Sequence, residues 1–241
     1  MIILVRRNNL FLISLIFMLL VFLYGLNSGA EDSKKTNVSY GCSKKILIDP
    51  GHGGEDPGAV SDYSGIKEKD VNLKISQILK ELLENDKYEV LLTREEDKLQ
   101  YSENTKSIIQ KRREDLIKRK KIMDNSGADI VVSIHLNKFP QTQYFGAQTF
   151  YPPDSPESKR LAETIQKSLV EIVDQKNKRK ALVKNSKPTI LILSNIKTTT
   201  VIVECGFLSN SEEEIKLQDD KHIEKIAVAI KDGIDNYFAL E

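Results

Sequence analysis

Residues 128–137 read ADIVVSIHLN, and this stretch decides the fold. Ile130, Val131 and Val132 are consecutive, so both faces of a strand here are apolar. A strand that is apolar on both faces is sheet interior, with helices covering it on either side. It also ends in an imidazole, His135, at the point where such sheets host their sites.

Reading outward, further strands are predicted at KKILIDP (44–50), YEVLLTR (88–94), GAQTFYP (146–152), TILIL (189–193) and TTVIVEC (199–205). Between them lie helical patterns. EKDVNLKISQILKELLEN, from Glu68, places Val71, Ile75, Ile78, Leu79 and Leu82 on one face. A very charged helix from about Ser107 to Asn125 has only a thin stripe of Ile108, Leu116 and Ile122. Its basic cluster, Lys111, Arg112, Arg113, Lys118, Arg119, Lys120 and Lys121, reads as a solvated face because Glu114 and Asp115 interrupt it. Ser155 and Pro156 give an N-cap and a first helical position for residues 155–173. A final helix carries Ile223, Ile226, Ala227, Ile230 and Ile234 on one face. The expectation is a single α/β domain over 44–241, with a twisted, mostly parallel or mixed sheet of about six strands between helices.

The N-terminus stands apart. Arg6 and Arg7 precede an apolar run from Leu10 to Leu26, which orients the rest of the chain outward. Residues 1–30 are read as a signal peptide cleaved after Ala30 or a retained membrane anchor, and 31–43 as a polar tether. Either way the domain is exported, and it meets a membrane only through this segment. Of 241 residues 29% are charged, yet the net charge is +1, which argues against a nucleic-acid binder. No tryptophan is present to build a lectin-like platform. Cys42 and Cys205 make no disulfide framework and read as two unpaired thiols.

Three histidines narrow the chemistry. His52 sits in IDPGHGGEDPGA (48–59), a loop following a buried strand. The loop lacks Gly-Lys-Ser/Thr and dinucleotide spacing, so it is no phosphate cradle. Glycines there give room for an imidazole to approach a metal, but a hydrogen-bonded loop histidine fits the spacing too. His135 ends a buried strand and needs a polar partner. Glu204 places a carboxylate at the edge of an apolar strand, where it must be paired or functional. Glu68 alone reads as an acid in a first helical turn. His222 is set aside as a surface residue in the polar lead into the last helix.

Together, ILIDPGHGGEDPGAV, GIKEKDVNL, LLTREED, GADIVVSIHLN and VIVECGFLSNSEEE resemble the zinc-dependent N-acetylmuramoyl-L-alanine amidases of bacterial cell walls. The resemblance runs from Lys45 to the last helix. It implies zinc ligands at His52, Glu68 and His135 and a catalytic glutamate at Glu204, with Asp49 and Asp56 as candidates for hydrogen bonds to the ligand imidazoles. The substrate it implies is peptidoglycan, cleaved between N-acetylmuramic acid and L-alanine. NKRKALVKNSKPTILIL (177–193), the short leader and the lack of wall-binding repeats are closest to the germination-specific, spore-cortex branch. That branch implies a partner deacetylase acting afterwards to form muramic-δ-lactam, and an accessory lipoprotein. The alternatives are a vegetative autolysin, a module that binds peptidoglycan or a partner without turnover, and a carbohydrate deacetylase on the same polymer.

Overall fold

Strand β3 (Ile130–Asn137) is the spine of the molecule, with Ile130, Val131, Val132 and Ile134 fully buried. In the computed structural model, which describes residues 43–185 and 191–240 together with Met18, it lies third in a six-stranded sheet. The order is β2-β1-β3-β6-β4-β5, where β1 is Lys45–Pro50, β2 Glu89–Leu92, β4 Gln148–Tyr151, β5 Leu182–Val183 and β6 Thr199–Phe207. β2, β1, β3 and β6 are parallel, β4 runs antiparallel to β6, and β5 is parallel to β4. The sheet is therefore mixed and mostly parallel. The predicted leader and most of the predicted tether, with Cys42, lie outside the described residues. Cys205 is a buried free thiol.

Five α-helices flank the sheet: α1 (Glu68–Asn85), α2 (Ile108–Asn125), α3 (Pro156–Ser168), α4 (Ser211–Lys216) and α5 (Asp220–Ala239). Helix α3 runs on into a π turn at Leu169–Val173. Alternation along the strands splits the core in two. Ile46, Ile48, Val132, Ile134, Val201 and Val203 pack with α1, α3 and α5. Leu47, Val131 and Ile202 face the other way, toward Met123 of α2. As predicted, Ser155 caps α3, its side chain accepting from the Ser158 amide, with Pro156 at the helix start.

Several expectations need correction. The described part of TILIL is not a strand: Leu191–Leu193 is a 3-10 turn, with Ile192 and Leu193 buried beneath α2's side of the sheet, and Thr189 and Ile190 lie outside the described residues. A short apolar run cannot be told from a buried helical turn by periodicity. The edge strand is instead Leu182–Val183, two exposed residues within a lysine-rich stretch. His222 is inside α5 and half-buried, and burial lowers its pKa. The α2 basic cluster is not simply solvated: Arg119 is 4% exposed, and Lys111, Arg112 and Lys120 are each salt-bridged. Ile108, placed on the thin apolar stripe, is exposed.

β1, β3 and β6 are parallel, so their carboxyl ends share one edge. α1 crosses over between the parallel strands β1 and β2, which brings its N-terminus back to that edge. Crevices at such edges are where α/β sheets bind ligands.

Candidate metal centre

Three donors from three elements meet at this edge. His52 comes from the loop after β1, Glu68 from the first residue of α1, and His135 from near the carboxyl end of β3. One ligand atom of each lies within 4.8 Å of the others. Glu68 Oε1 is 3.3 Å from His52 Nε2 and 2.9 Å from His135 Nδ1. The two rings meet edge to face, 5.1 Å between centroids.

The glycines of the loop make this approach sterically allowed. A Cβ on Gly51 would lie 2.3 Å from His135 Cε1, and one on Gly58 would lie 2.6 Å from Glu68 Oε2 and 2.7 Å from His52 Cδ2. His52 itself adopts φ +62°, a left-handed conformation costing an L-residue about 1–2 kcal/mol. Such a conformation persists only where the surroundings fix it. Here Gly51 N donates to Ile134 O at 2.9 Å, and Gly53 and Asp56 exchange backbone hydrogen bonds at 3.0 and 2.9 Å.

Glu68 is 3% exposed and held from several sides. Its Oε1 accepts from the Leu136 amide at 3.0 Å and from Asn72 Nδ2 at 3.4 Å, and its Oε2 from the Ala59 amide at 2.8 Å. Burial works against the carboxylate, but His135 and His52 outweigh it and hold its pKa well below the usual range. Burial likewise opposes the His52 imidazolium, while Asp56 and Glu68 raise its pKa to about 9. The centre is thus a carboxylate anion between two histidine rings, with the His52 ring favoured in its cationic form by the acids on either side of it.

Of the two acids expected behind the imidazoles, the structure brings up one. Asp56 Oδ2 lies 2.7 Å from His52 Nδ1, and Arg112 of α2 holds Asp56 Oδ1 at 2.8 Å. A carboxylate on the far nitrogen fixes ring orientation and tautomer. Asp49 serves elsewhere. Fully buried, it accepts from Thr93 at 2.6 Å, Ser133 at 2.7 Å and Arg119 at 3.1 Å, and no imidazole bond is formed. Asp49 points from β1 toward α2, the face opposite α1, because strand side chains alternate.

Glu204 stands beside the centre. It is the register partner of His135 on one side and of Gln148 on the other. Its Oε2 is buried and has no hydrogen-bond partner among the described residues. Burial raises its pKa, His135 draws it back, and Glu68 pushes it up again. Buried carboxylate oxygens are normally paired, so a free one beside three metal-type donors is the mark of a group kept for a reactant.

Sequence reasoning missed Arg94. Buried after β2, its guanidinium donates to the carbonyls of Pro50 (3.0 Å), Gly51 (3.1 Å), Lys69 (2.9 Å) and Glu96 (3.1 Å). It therefore ties the His52 loop to the first turn of α1, where Glu68 sits. An arginine closing the predicted strand YEVLLTR, in LLTREED, was the available signal.

With this geometry in hand, the chain can be compared with known proteins. A family model described as N-acetylmuramoyl-L-alanine amidase matches residues 46–236. The germination-specific N-acetylmuramoyl-L-alanine amidase of Bacillus subtilis (strain 168) is 33% identical over 222 residues, covering 92% of this chain and 91% of that protein. The CwlD amidase from Clostridioides difficile, solved in complex with the GerS lipoprotein, matches with a TM-score of 0.80 at 45% identity, over 83% of this chain and 100% of that one. An N-acetylmuramoyl-L-alanine amidase from Clostridium difficile 630 matches with a TM-score of 0.70 at 32% identity, over 82% and 97%.

Proposed function

From the premise that this chain belongs to the N-acetylmuramoyl-L-alanine amidase family, and is an amidase of that class, we propose its metal, the roles of four residues and its setting. His52, Glu68 and His135 hold a zinc ion. Two imidazoles and one carboxylate are the donor set of a hydrolytic zinc site, and three protein ligands leave a coordination position for a reactant. The glycine clearance at Gly51 and Gly58 and the amides on Glu68 suit a site built around an ion rather than a loop histidine. Zinc bound there supplies a Lewis acid for the scissile carbonyl and acidifies water.

The protein's own groups do the rest. Glu204 accepts the proton of the attacking water and passes it to the departing alanine nitrogen. Its raised pKa suits it to both halves of that task. Asp56 orients His52, and Arg112 orients Asp56. The bond broken is the amide between the lactyl carbonyl of N-acetylmuramic acid and L-alanine. The observation that carries this reading is the Glu204 oxygen, unpartnered among the described residues, directly across the register from His135.

The setting is the spore cortex, outside the cytoplasmic membrane. The names of the Bacillus subtilis relative and the Clostridioides difficile structure support it. There the product is muramic acid freed of peptide, a substrate for a deacetylase that forms muramic-δ-lactam. An accessory lipoprotein assists this chain, as the complex of the CwlD amidase suggests.

The test is digestion of spore cortex and vegetative peptidoglycan by the zinc-loaded protein, with products read by mass spectrometry. Intact stem peptides are released from cortex, Glu204→Gln abolishes release without loss of zinc, and Glu68→Ala loses the zinc. Acetate release instead of peptide identifies a deacetylase. Release from vegetative wall alone replaces the cortex setting with an autolytic one. Unimpaired biological function of Glu204→Gln would make the chain a binding module.

A further inference from the structure

The cations around the Glu204 edge fall into two groups. On the His52 side three are ion-paired: Lys111 with Glu55 at 2.6 Å, Arg112 with Asp56 at 2.8 Å, Lys138 with Asp62 at 2.7 Å. On the β4–β5 side two are not. Neither Arg179 nor Lys184 forms a salt bridge among the described residues, and both are half-exposed.

Both are nevertheless positioned. Gln148, the register partner of Glu204, accepts from Arg179 Nη1 at 2.8 Å, and Arg179 Nε donates to Phe145 O at 2.7 Å. The guanidinium lies 4.6 Å from the Phe207 ring centroid. Lys184 Nζ lies 4.1 Å over the ring of Phe150, which is two residues along β4 from Gln148 and so on the same face of the sheet. The Lys184 amide is fixed to Tyr151 O at 2.8 Å. Two cations placed over rings, and held beyond ion-pair distance of the acids that act on them, Glu213 on Arg179 and Glu204 on Lys184, are placed to take up an anion.

We propose that Arg179 and Lys184 form the subsite for the departing peptide, binding a free carboxylate within its first two residues. This rests on the reading of Glu204 given above. The peptide nitrogen must lie at Glu204 to take up its proton. Strands are about 5 Å apart, so β4 and β5 stand about 5 and 10 Å from Glu204's strand. Two extended residues span about 7 Å, which brings a carboxylate of the second residue within reach of both side chains. Stem peptides are acidic in this stretch, whereas the sugar on the other side of the scissile bond is neutral. The ion-paired Lys111, Arg112 and Lys138 suit the neutral glycan, and Arg179 and Lys184 suit the acidic peptide. The subsite thus sets the direction in which substrate lies across the metal.

The experiment uses the zinc-loaded full chain and two muramoyl-peptide fragments, identical except that the second residue carries a free α-carboxylate or its carboxamide. The unaltered enzyme favours the acid. Lys184→Gln and Arg179→Gln each raise KM for the acid about tenfold, the worth of one charge-assisted hydrogen bond, with kcat and the amide substrate little changed. Lys184→Arg restores the preference. Equal losses on both fragments would overturn the proposal, as would a loss that follows glycan length rather than the carboxylate. Failure of the unaltered enzyme to cleave either fragment would overturn it together with the reading it rests on.

Discussion

Helices α1 and α2 each have 18 residues and cover opposite faces of one sheet, yet they are attached by opposite chemistry. α1 packs Val71, Ile75, Leu79 and Leu83 into the larger apolar cluster. α2 buries Asp115, Arg119 and Met123. Arg119 bridges Asp115 at 2.9 Å and Asp49 of β1 at 3.1 Å, so a charged triad takes the place of the apolar stripe. α1 supplies a candidate ligand directly. α2 supplies none, but its Arg112 holds Asp56 behind His52. The apolar helix fixes where the centre is, and the charged helix fixes how the loop histidine is turned.

The largest effect that would break this contrast is expected at Asp49. Asp49→Asn leaves Arg119 buried with half its compensation, and losing one partner of a buried pair costs about 3–5 kcal/mol. Urea unfolding measures it, and a loss below about 1 kcal/mol would show that the triad is not what holds α2. Adding Arg119→Met should recover much of the loss, since an apolar replacement removes the stranded charge. The pH dependence has a definite sign. Burial pushes the Asp49 carboxyl up, but Arg119, Thr93 and Ser133 bring its pKa below the ordinary value. Its contribution is therefore complete above the unfolded pKa, about 4, and is lost as pH falls from there toward the folded value. Between about pH 4 and pH 2 the unaltered protein should lose stability more steeply than Asp49→Asn.

On the α1 side the matching change is Leu79→Ala, at a fully buried position. It should cost about 2–5 kcal/mol through lost burial and a residual cavity. Unlike the Asp49 effect, this loss should be the same at pH 3 and pH 7. A shared pH dependence would mean the two helices do not unfold under separate control.

A smaller, functional effect separates the helices again. Arg112→Ala frees Asp56 to turn from His52, and loss of such a support typically lowers metal affinity about 10-fold or more. Arg112 is largely at the surface, so stability should change by no more than about 1 kcal/mol. Competition with a chromophoric chelator reads the affinity. Unchanged affinity would reduce Asp56 to shaping the loop.

The same contrast explains what the sequence could reveal. The fold was legible where apolar periodicity sets it: β1, β3, β6, α1 and α5 all fall where hydrophobic spacing places them. The α2 helix itself falls where predicted, but its attachment was not legible, because Asp115 and Arg119 look like solvent-facing charges until Asp49, 66 and 70 positions away, is seen against them. The strand reading failed at TILIL because four apolar residues in a row fit a strand and a buried turn equally. For the site, residues alone singled out His135 and Glu204 as polar groups closing buried strands, and His52 as an oddity in a glycine loop. Their convergence on Glu68 depends on a crossover that no local pattern encodes. Arg94 stayed hidden for a related reason: its partners are backbone carbonyls, which carry no side-chain signature.

The smallest expected effect is the sharpest on α2 itself. Ile109 is 74% exposed, although it lies in the first turn of a helix with few apolar residues to dock it. If the Asp115–Arg119–Asp49 triad holds α2, Ile109→Gln should alter stability by no more than about 0.5 kcal/mol, the usual range for an unconstrained surface site. The same substitution at Ile75, fully buried in α1, strands an amide in an apolar core and should cost several times more. Chemical denaturation of the two variants side by side supplies the ratio. A loss at Ile109 approaching that at Ile75 would mean that α2's exposed apolar residues are covered in solution, and that hydrophobic contact, not the buried charges, attaches both helices.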